Sequence, residues 1–123
     1  MNRILLMIVL MFLVGKVSAD TTSPLMIQPK NGETLEDSKK HTMEYFGCIK
    51  GQAVKYAKTG ESVDSISKAS VVSCESYIPI IAESNIYYLN SSQEGKRQFT
   101  ERLKSDGERL ATKFAMDEKL KKN

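Results

Sequence analysis

The sequence predicts an all-α fold, a small bundle of about four helices in one domain, and three observations carry that prediction. Apolar residues recur at spacings of three and four along most of the chain after residue 34. Thr34 and Ser62 stand where helix N-caps belong, and Gly60 stands where a helix ends. The two cysteines, Cys48 and Cys74, lie at equal distances from the turn between the first two helical segments. That symmetry marks a first helical hairpin clamped by one disulfide.

The chain opens with a leader. Arg3 supplies a positive start, Ile4–Val14 is an unbroken apolar run, and Gly15–Ala19 ends in small residues. The run is too short to cross a bilayer and has the flanks of a cleavable secretory signal. Residues 1–19 are therefore read as a signal peptide, 20–33 as a flexible N-terminal arm and 34–123 as the helical domain. The arm carries Pro24, Pro29 and Gly32 and has no helical period.

The first helix is expected from Leu35 to Lys58, with Glu36 and Asp37 suiting the positive end of its dipole. One face carries Met43, Phe46, Ile49 or Lys50, Ala53 and Ala57; a neighbouring strip carries Tyr45, Cys48, Ile49 and Tyr56. Thr59-Gly60 stops it. Ser62 restarts the chain, and Val63, Ile66, Ser70, Cys74, Tyr77, Ile78 and Ile81 follow at helical spacing. Pro79 lacks an N–H and crowds the preceding turn, so the helix must end or kink near Ser76–Ile78. Ile80–Leu89 reads as a short helix, with a short strand as the alternative that its β-branched and aromatic content allows. Asn90–Gly95 reads as a loop. The last helix runs from about Lys96 to Leu120, with Phe99, Leu103, Leu110, Phe114 and Met116 on its apolar face. Gly107 interrupts it at a cost of about 1 kcal/mol relative to Ala, or lets another helix come close.

The cysteine geometry is simple. With the turn at Gly60-Glu61, Cys48 lies 13 residues before Glu61 and Cys74 lies 13 after it. At ~1.5 Å rise per residue both sit roughly 20 Å from the turn, across from each other. An oxidising compartment closes that bridge. They do not form C-x-x-C, so a structural bridge outweighs a redox pair.

Charge excludes some partners. Without the leader the chain carries 16 basic and 15 acidic residues, so the basic pI of the full sequence overstates any affinity for anions. Residues 20–95 hold seven basic and ten acidic residues; residues 96–123 hold nine and five. The last helix is mildly basic, but its acids are interleaved, which reads as a solvated face rather than a nucleic-acid or lipid surface. No nucleic acid is expected as a partner. After the leader no apolar run reaches about 18 residues, so no stable membrane insertion is expected either. The short leader places the protein in the periplasm. Secretion to the extracellular space from a eukaryotic cell is the alternative, and Asn90-Ser91-Ser92 would then be a glycosylation acceptor.

Catalytic constellations are missing from the sequence. His41 is the single histidine, and the cysteines are committed to the bridge, so no metal site is expected. No Gly-rich phosphate loop and no dinucleotide fingerprint occur, and no cofactor is expected. Glu44, Glu75 and Glu83 are carboxylates of the kind acid–base work in a cleft requires, and they read as solvated surface groups. The tyrosines are more informative. Tyr77, Ile78, Ile80, Ile81, Ile86, Tyr87 and Leu89 make the most apolar stretch after the leader. Its first reading is bundle core; its second is a sticky surface around Tyr87-Tyr88.

In layout the chain is similar to two groups of exported helical proteins. Its size, single disulfide and Lys-rich end, Glu118–Asn123, resemble the acid-activated periplasmic chaperones, although Cys48 and Cys74 lie closer together than the cysteines of that group. The other group is the helical periplasmic immunity proteins, with which no motif is shared. Neither resemblance assigns a functional residue. The expected function is non-enzymatic binding of another periplasmic protein, of inhibitor, immunity or adaptor type. Tyr77, Tyr87 and Tyr88 would form the contact surface, with Arg97 and Arg102 as rim charges. An acid- or stress-activated chaperone is the alternative.

Overall fold

The computed structural model describes residues 25–121. The leader expected over 1–19 and the start of the arm lie outside the described residues. Within them a 3-10 turn at Lys30–Gly32 precedes five α-helices: α1 (Leu35–Ala57), α2 (Val63–Ser73), α3 (Tyr77–Glu83), α4 (Ile86–Leu89) and α5 (Gln93–Lys121). The described residues contain no strand, and Ile80–Leu89 is not one short helix: Ile80–Glu83 completes α3, Ser84 and Asn85 intervene, and Ile86–Leu89 is α4. The all-α expectation holds, with five helices among the described residues where about four were expected.

The caps explain the boundaries. Thr34 and Asp37 form a reciprocal capping box: Thr34 N–H donates to Asp37 Oδ2 at 2.7 Å, and Asp37 N–H donates to Thr34 Oγ1 at 3.4 Å. Gly60 takes the left-handed φ of 83° that turns the chain after α1. Ser62 caps α2 by accepting the Ser65 N–H at 3.2 Å. Two boundaries differ from expectation. α2 stops at Ser73, and α3 begins at Tyr77, so Pro79 falls in the first turn of α3. There its missing N–H is no loss, because first-turn N–H groups have no partner inside the helix. α5 starts at Gln93, three residues before the expected Lys96, because Ser92 Oγ accepts the Gly95 N–H at 3.1 Å. The last boundary, between α3 and α4, is set by Asn85, whose Oδ1 accepts the N–H groups of Tyr87 and Tyr88.

The three long helices each pack against the other two, and α3 packs chiefly on α1. Tyr45 lies by Leu103, and Ile49 by Gly107, so α1 and α5 run parallel. Ser67 Oγ donates to the Glu108 carbonyl, while Glu75 pairs with Lys104, so α2 runs antiparallel to α5. The core is built from Tyr45, Ile49, Ala53 and Ala57 of α1, Ile66 and Val71 of α2, Cys74, Ile78 and Ile81, and Leu103, Ala111 and Ala115 of α5. Two predicted core positions are therefore corrected. Met43 is 74% exposed and Met116 is 51% exposed. The buried line of α1 follows the Tyr45 strip, and that of α5 follows its small residues.

Gly107 shows why. A Cβ there would lie 2.6 Å from Ile49 Cδ1 and 2.8 Å from the Tyr45 hydroxyl oxygen. Both side chains are fully buried, so they have nowhere to retreat. The close-approach reading of Gly107 is the right one. The Tyr45 hydroxyl donates to the Leu103 carbonyl at 3.4 Å, which satisfies it inside the core. Burial, with Glu75 as the next cause, pushes its pKa up to about 12. The disulfide Cys48–Cys74 is present, with a Cα–Cα distance of 6.0 Å, and joins the middle of α1 to the C-cap of α2.

Five outcomes are expected. Replacing both cysteines by Ala should lower stability by ~3 kcal/mol in urea unfolding, since the bridge closes a loop of 26 residues. Gly107→Ala should destabilise by ~1–2 kcal/mol, because overpacking outweighs the gain in helix propensity. Ile49→Val removes the clashing methyl and should recover part of that loss in the double variant. By contrast, a Cβ at Gly47 or Gly51 meets nothing within 4 Å, so Ala at either should stabilise by ~0.5–1 kcal/mol. In acid, the backbone hydrogen bond from Thr34 holds the Asp37 carboxyl below its ordinary pKa. A depressed carboxyl pKa gives stability that is complete above the unfolded value, about 4, and lost as pH falls through the folded value. Asp37→Ala should thus lower the melting temperature at pH 7, and the gap from the parent protein should narrow as the pH falls below the unfolded carboxyl value.

Candidate protein-binding face

The short helices α3 and α4 carry the chain across one end of the bundle, and a groove opens between them and α5. Its volume is about 420 Å³. Ile78, Pro79, Ala82 and Tyr88 make an apolar floor, and Glu75, Glu83, Thr100 and Lys104 form the rim. Lys104 Nζ lies 3.3 Å from Glu75 Oε1 across the groove. A second depression shares Tyr88, Thr100 and Lys104 and continues along α5 past Lys96, Arg97 and Glu101.

Local sequence sets this shape. Ile78, Ile81 and Ala82 recur at helical spacing and are buried, which turns Ile80 outward, 45% exposed. Asn85 restarts the helix, so Tyr87 and Tyr88 leave α4 in different directions. Tyr88 packs on Phe99 with ring centroids 5.2 Å apart, and Lys96 Nζ sits 5.5 Å from its ring centre. Tyr87 is 66% exposed beside it.

The five residues proposed from sequence do not gather at one place. Tyr88 and Arg97 line the same depression, and Tyr87, next to Tyr88 in the chain, is not part of its lining. Tyr77 is half-buried with its ring centroid 6.5 Å from that of Tyr45, so it belongs to the packing. Arg102 follows Arg97 by five residues, about 140° around the helix, and lies on another flank. Arg97 itself is held by Glu94 and Glu101. Those hydrogen bonds, Glu94 first, raise the Arg97 pKa, and Arg97 in turn lowers that of Glu94. Glu75, Glu83 and Lys104 are the groove residues that spacing alone does not reveal as a set. Glu75 and Lys104 come from separate elements, and only the antiparallel packing of α2 on α5 joins them.

Other polar groups are occupied. His41 is held with its side chain 22% exposed between two carboxylates. Its Nε2 is 3.2 Å from Glu33, and its Nδ1 is 3.6 Å from Glu44. The burial follows from the turn at Lys30–Gly32, which brings Glu33 back over α1. The Asn90 side chain donates to the carbonyls of Ile27 and Ile86, and its Oδ1 accepts the Ile27 N–H at 2.8 Å. Both amide hydrogens are therefore engaged, which opposes the glycosylation reading. Among the described residues no buried side-chain nitrogen or oxygen lacks a partner, and no group of three or more His, Cys, Asp or Glu is placed to hold a metal. No described helix is long and apolar enough to cross a membrane.

The groove thus combines an apolar floor with an acid–base rim, and the exposed Tyr87 stands on the same short helix as Tyr88. Comparison with known proteins finds no matching family model, no matching curated protein and no matching solved structure.

Proposed function

We propose that this chain is an exported, non-enzymatic protein that binds another protein in the periplasm, as an inhibitor, immunity protein or adaptor. The disulfide clamps the α1–α2 hairpin in that oxidising compartment, and the bundle presents the face formed by α3, α4 and α5. One observation carries the reading: the short helices that floor the groove with Ile78, Pro79, Ala82 and Tyr88 also leave Ile80 and Tyr87 exposed. Apolar side chains left in water next to a concave apolar floor are what a protein partner covers. The leader, Met1–Ala19, supplies the route to the compartment.

Capture of the tagged protein from its own periplasm, with cross-linking and mass spectrometry, tests this. A single stoichiometric partner at neutral pH is expected. Many clients captured only in acid would replace the proposal with the stress chaperone. Tyr87→Ser should reduce capture at least tenfold and leave the melting temperature within about 2 °C, the small change usual at an exposed site. Tyr88→Ser should lower the melting temperature as well, because its ring packs on Phe99. If Tyr87→Ser binds as well as the parent protein, the face is misassigned.

A further inference from the structure

A second groove runs along the outer seam where α1 and α5 lie parallel. Its volume is about 380 Å³, and Phe46 and Leu110 lie in its floor with Asp106, Arg109 and Lys113 around them. Met43, one turn before Phe46 on α1, is 74% exposed. Lys50 reaches across from α1 with Nζ 5.1 Å from the centre of the Phe114 ring.

Outside this seam the cations of α5 have varied partners: Arg97 pairs with Glu94 and Glu101, Lys104 with Glu75 and Lys121 with Glu118, while Lys96 stands over the Tyr88 ring and Lys119 donates to the Glu61 carbonyl. At the seam the cations cluster beside an apolar floor. Among the described residues, Lys113 and Arg102 on α5 and Lys50 on α1 pair with no carboxylate, and Arg109 reaches only Asp106, at 3.9 Å with its own side chain 79% exposed. The seam thus combines an apolar floor with positive charge on both helices and a single acid, Asp106, in the groove lining. Gly47 adds no bulk to the α1 side, since a Cβ there would meet nothing within 4 Å.

We propose that this seam docks an acidic amphipathic helix of a partner protein. The helix lays its apolar stripe on Met43, Phe46 and Leu110, and its flanking carboxylates meet Lys50, Arg109 and Lys113. The groove is concave and flanked by two parallel helices, so it fits a third helix lying along it. Complementary charge supplies what the chain itself leaves out on this face, and it makes the association sensitive to salt.

Site-specific photo-cross-linking in the producing cell tests this. Gly47 in the full chain is replaced by photoreactive p-benzoylphenylalanine, and cross-linked peptides are sequenced by mass spectrometry. The expected adduct is a partner segment with Asp and Glu on both sides of an i, i+3, i+4 apolar stripe. Its yield should fall at least tenfold in the Arg109→Glu/Lys113→Glu variant, with the melting temperature unchanged to within a few degrees. No adduct, an adduct to lipid, an adduct to a second copy of this chain, a segment without that acidic pattern, or a yield indifferent to the charge reversal would each overturn the proposal. The same photoreactive residue at Tyr87 reports on the α3–α4 face, so failure of one assignment is read separately from failure of the other.

Discussion

The contact of α5 with α1 at Gly107 constrains everything else in this fold. Ile49 and Tyr45 are both fully buried and both point at Gly107, where α5 has no side chain. The buried line continues as Ala111 and Ala115, each fully buried. Small residues on that line bring the two helices together, and the larger Phe99, Leu110 and Phe114 are displaced to the flanks, where they are half-buried. Ridges of one helix settle into the groove left by the other, and the contact is made by shape rather than by bulk. Glycine in a helix interior costs about 1 kcal/mol against Ala, and that cost is offset where a methyl group would collide with two immobile side chains.

A parallel arrangement of α1 and α5 has a topological consequence. The chain must return to the starting end of the bundle before α5 begins. α2 makes most of the return, antiparallel to α5, and α3 and α4 complete it as two short helices across the end. A helix of four residues such as α4 has little stability of its own, since nucleation fixes several residues for very few hydrogen bonds. It is held instead by the Asn85 cap, by Tyr88 on Phe99, and by Asn90 gripping both Ile86 and the backbone of Ile27. The groove beside α3 is the gap that such a corner leaves, because short helices cannot cover α5 along its length.

Much of this was legible from residue spacing, and the misses share one cause. The α1 cap at Thr34, the stop at Gly60, the cap at Ser62 and the pairing of Cys48 with Cys74 all depend on local chemistry or on helix rise, which a sequence displays directly. The core of α5 was misread because periodicity weighs large apolar residues, and the contact line here runs through Gly107, Ala111 and Ala115. Met43 was placed in the core for the same reason, and the structure leaves it exposed. The start of α3 was misplaced because Pro79 was treated as a helix end, although proline also suits a first turn. The binding surface was least legible. Whether Tyr77 joins Tyr87 or turns inward to Tyr45 depends on a helix break after Ser73, and Glu75 meets Lys104 only once α2 lies against α5.

Both faces discussed above are built on α5, and the geometry of that helix keeps them apart. Lys104 serves the groove beside α3, and Lys113 serves the seam with α1. Nine residues at about 100° each place them on opposite sides of the helix. The line of Leu103, Gly107, Ala111 and Ala115 runs between, packed against fully buried side chains of α1. Neither groove can widen by shifting α5 without driving Gly107 into Ile49 or opening a void beside it, and both moves are costly in a close-packed interior. Each groove is therefore held in a fixed shape by the packing beneath it. A small bundle stapled by one disulfide in this way holds two grooves of different chemistry apart, one lined by Tyr88 with Glu75 and Lys104 paired across it, the other floored by Phe46 and Leu110 with Arg109 and Lys113 around it.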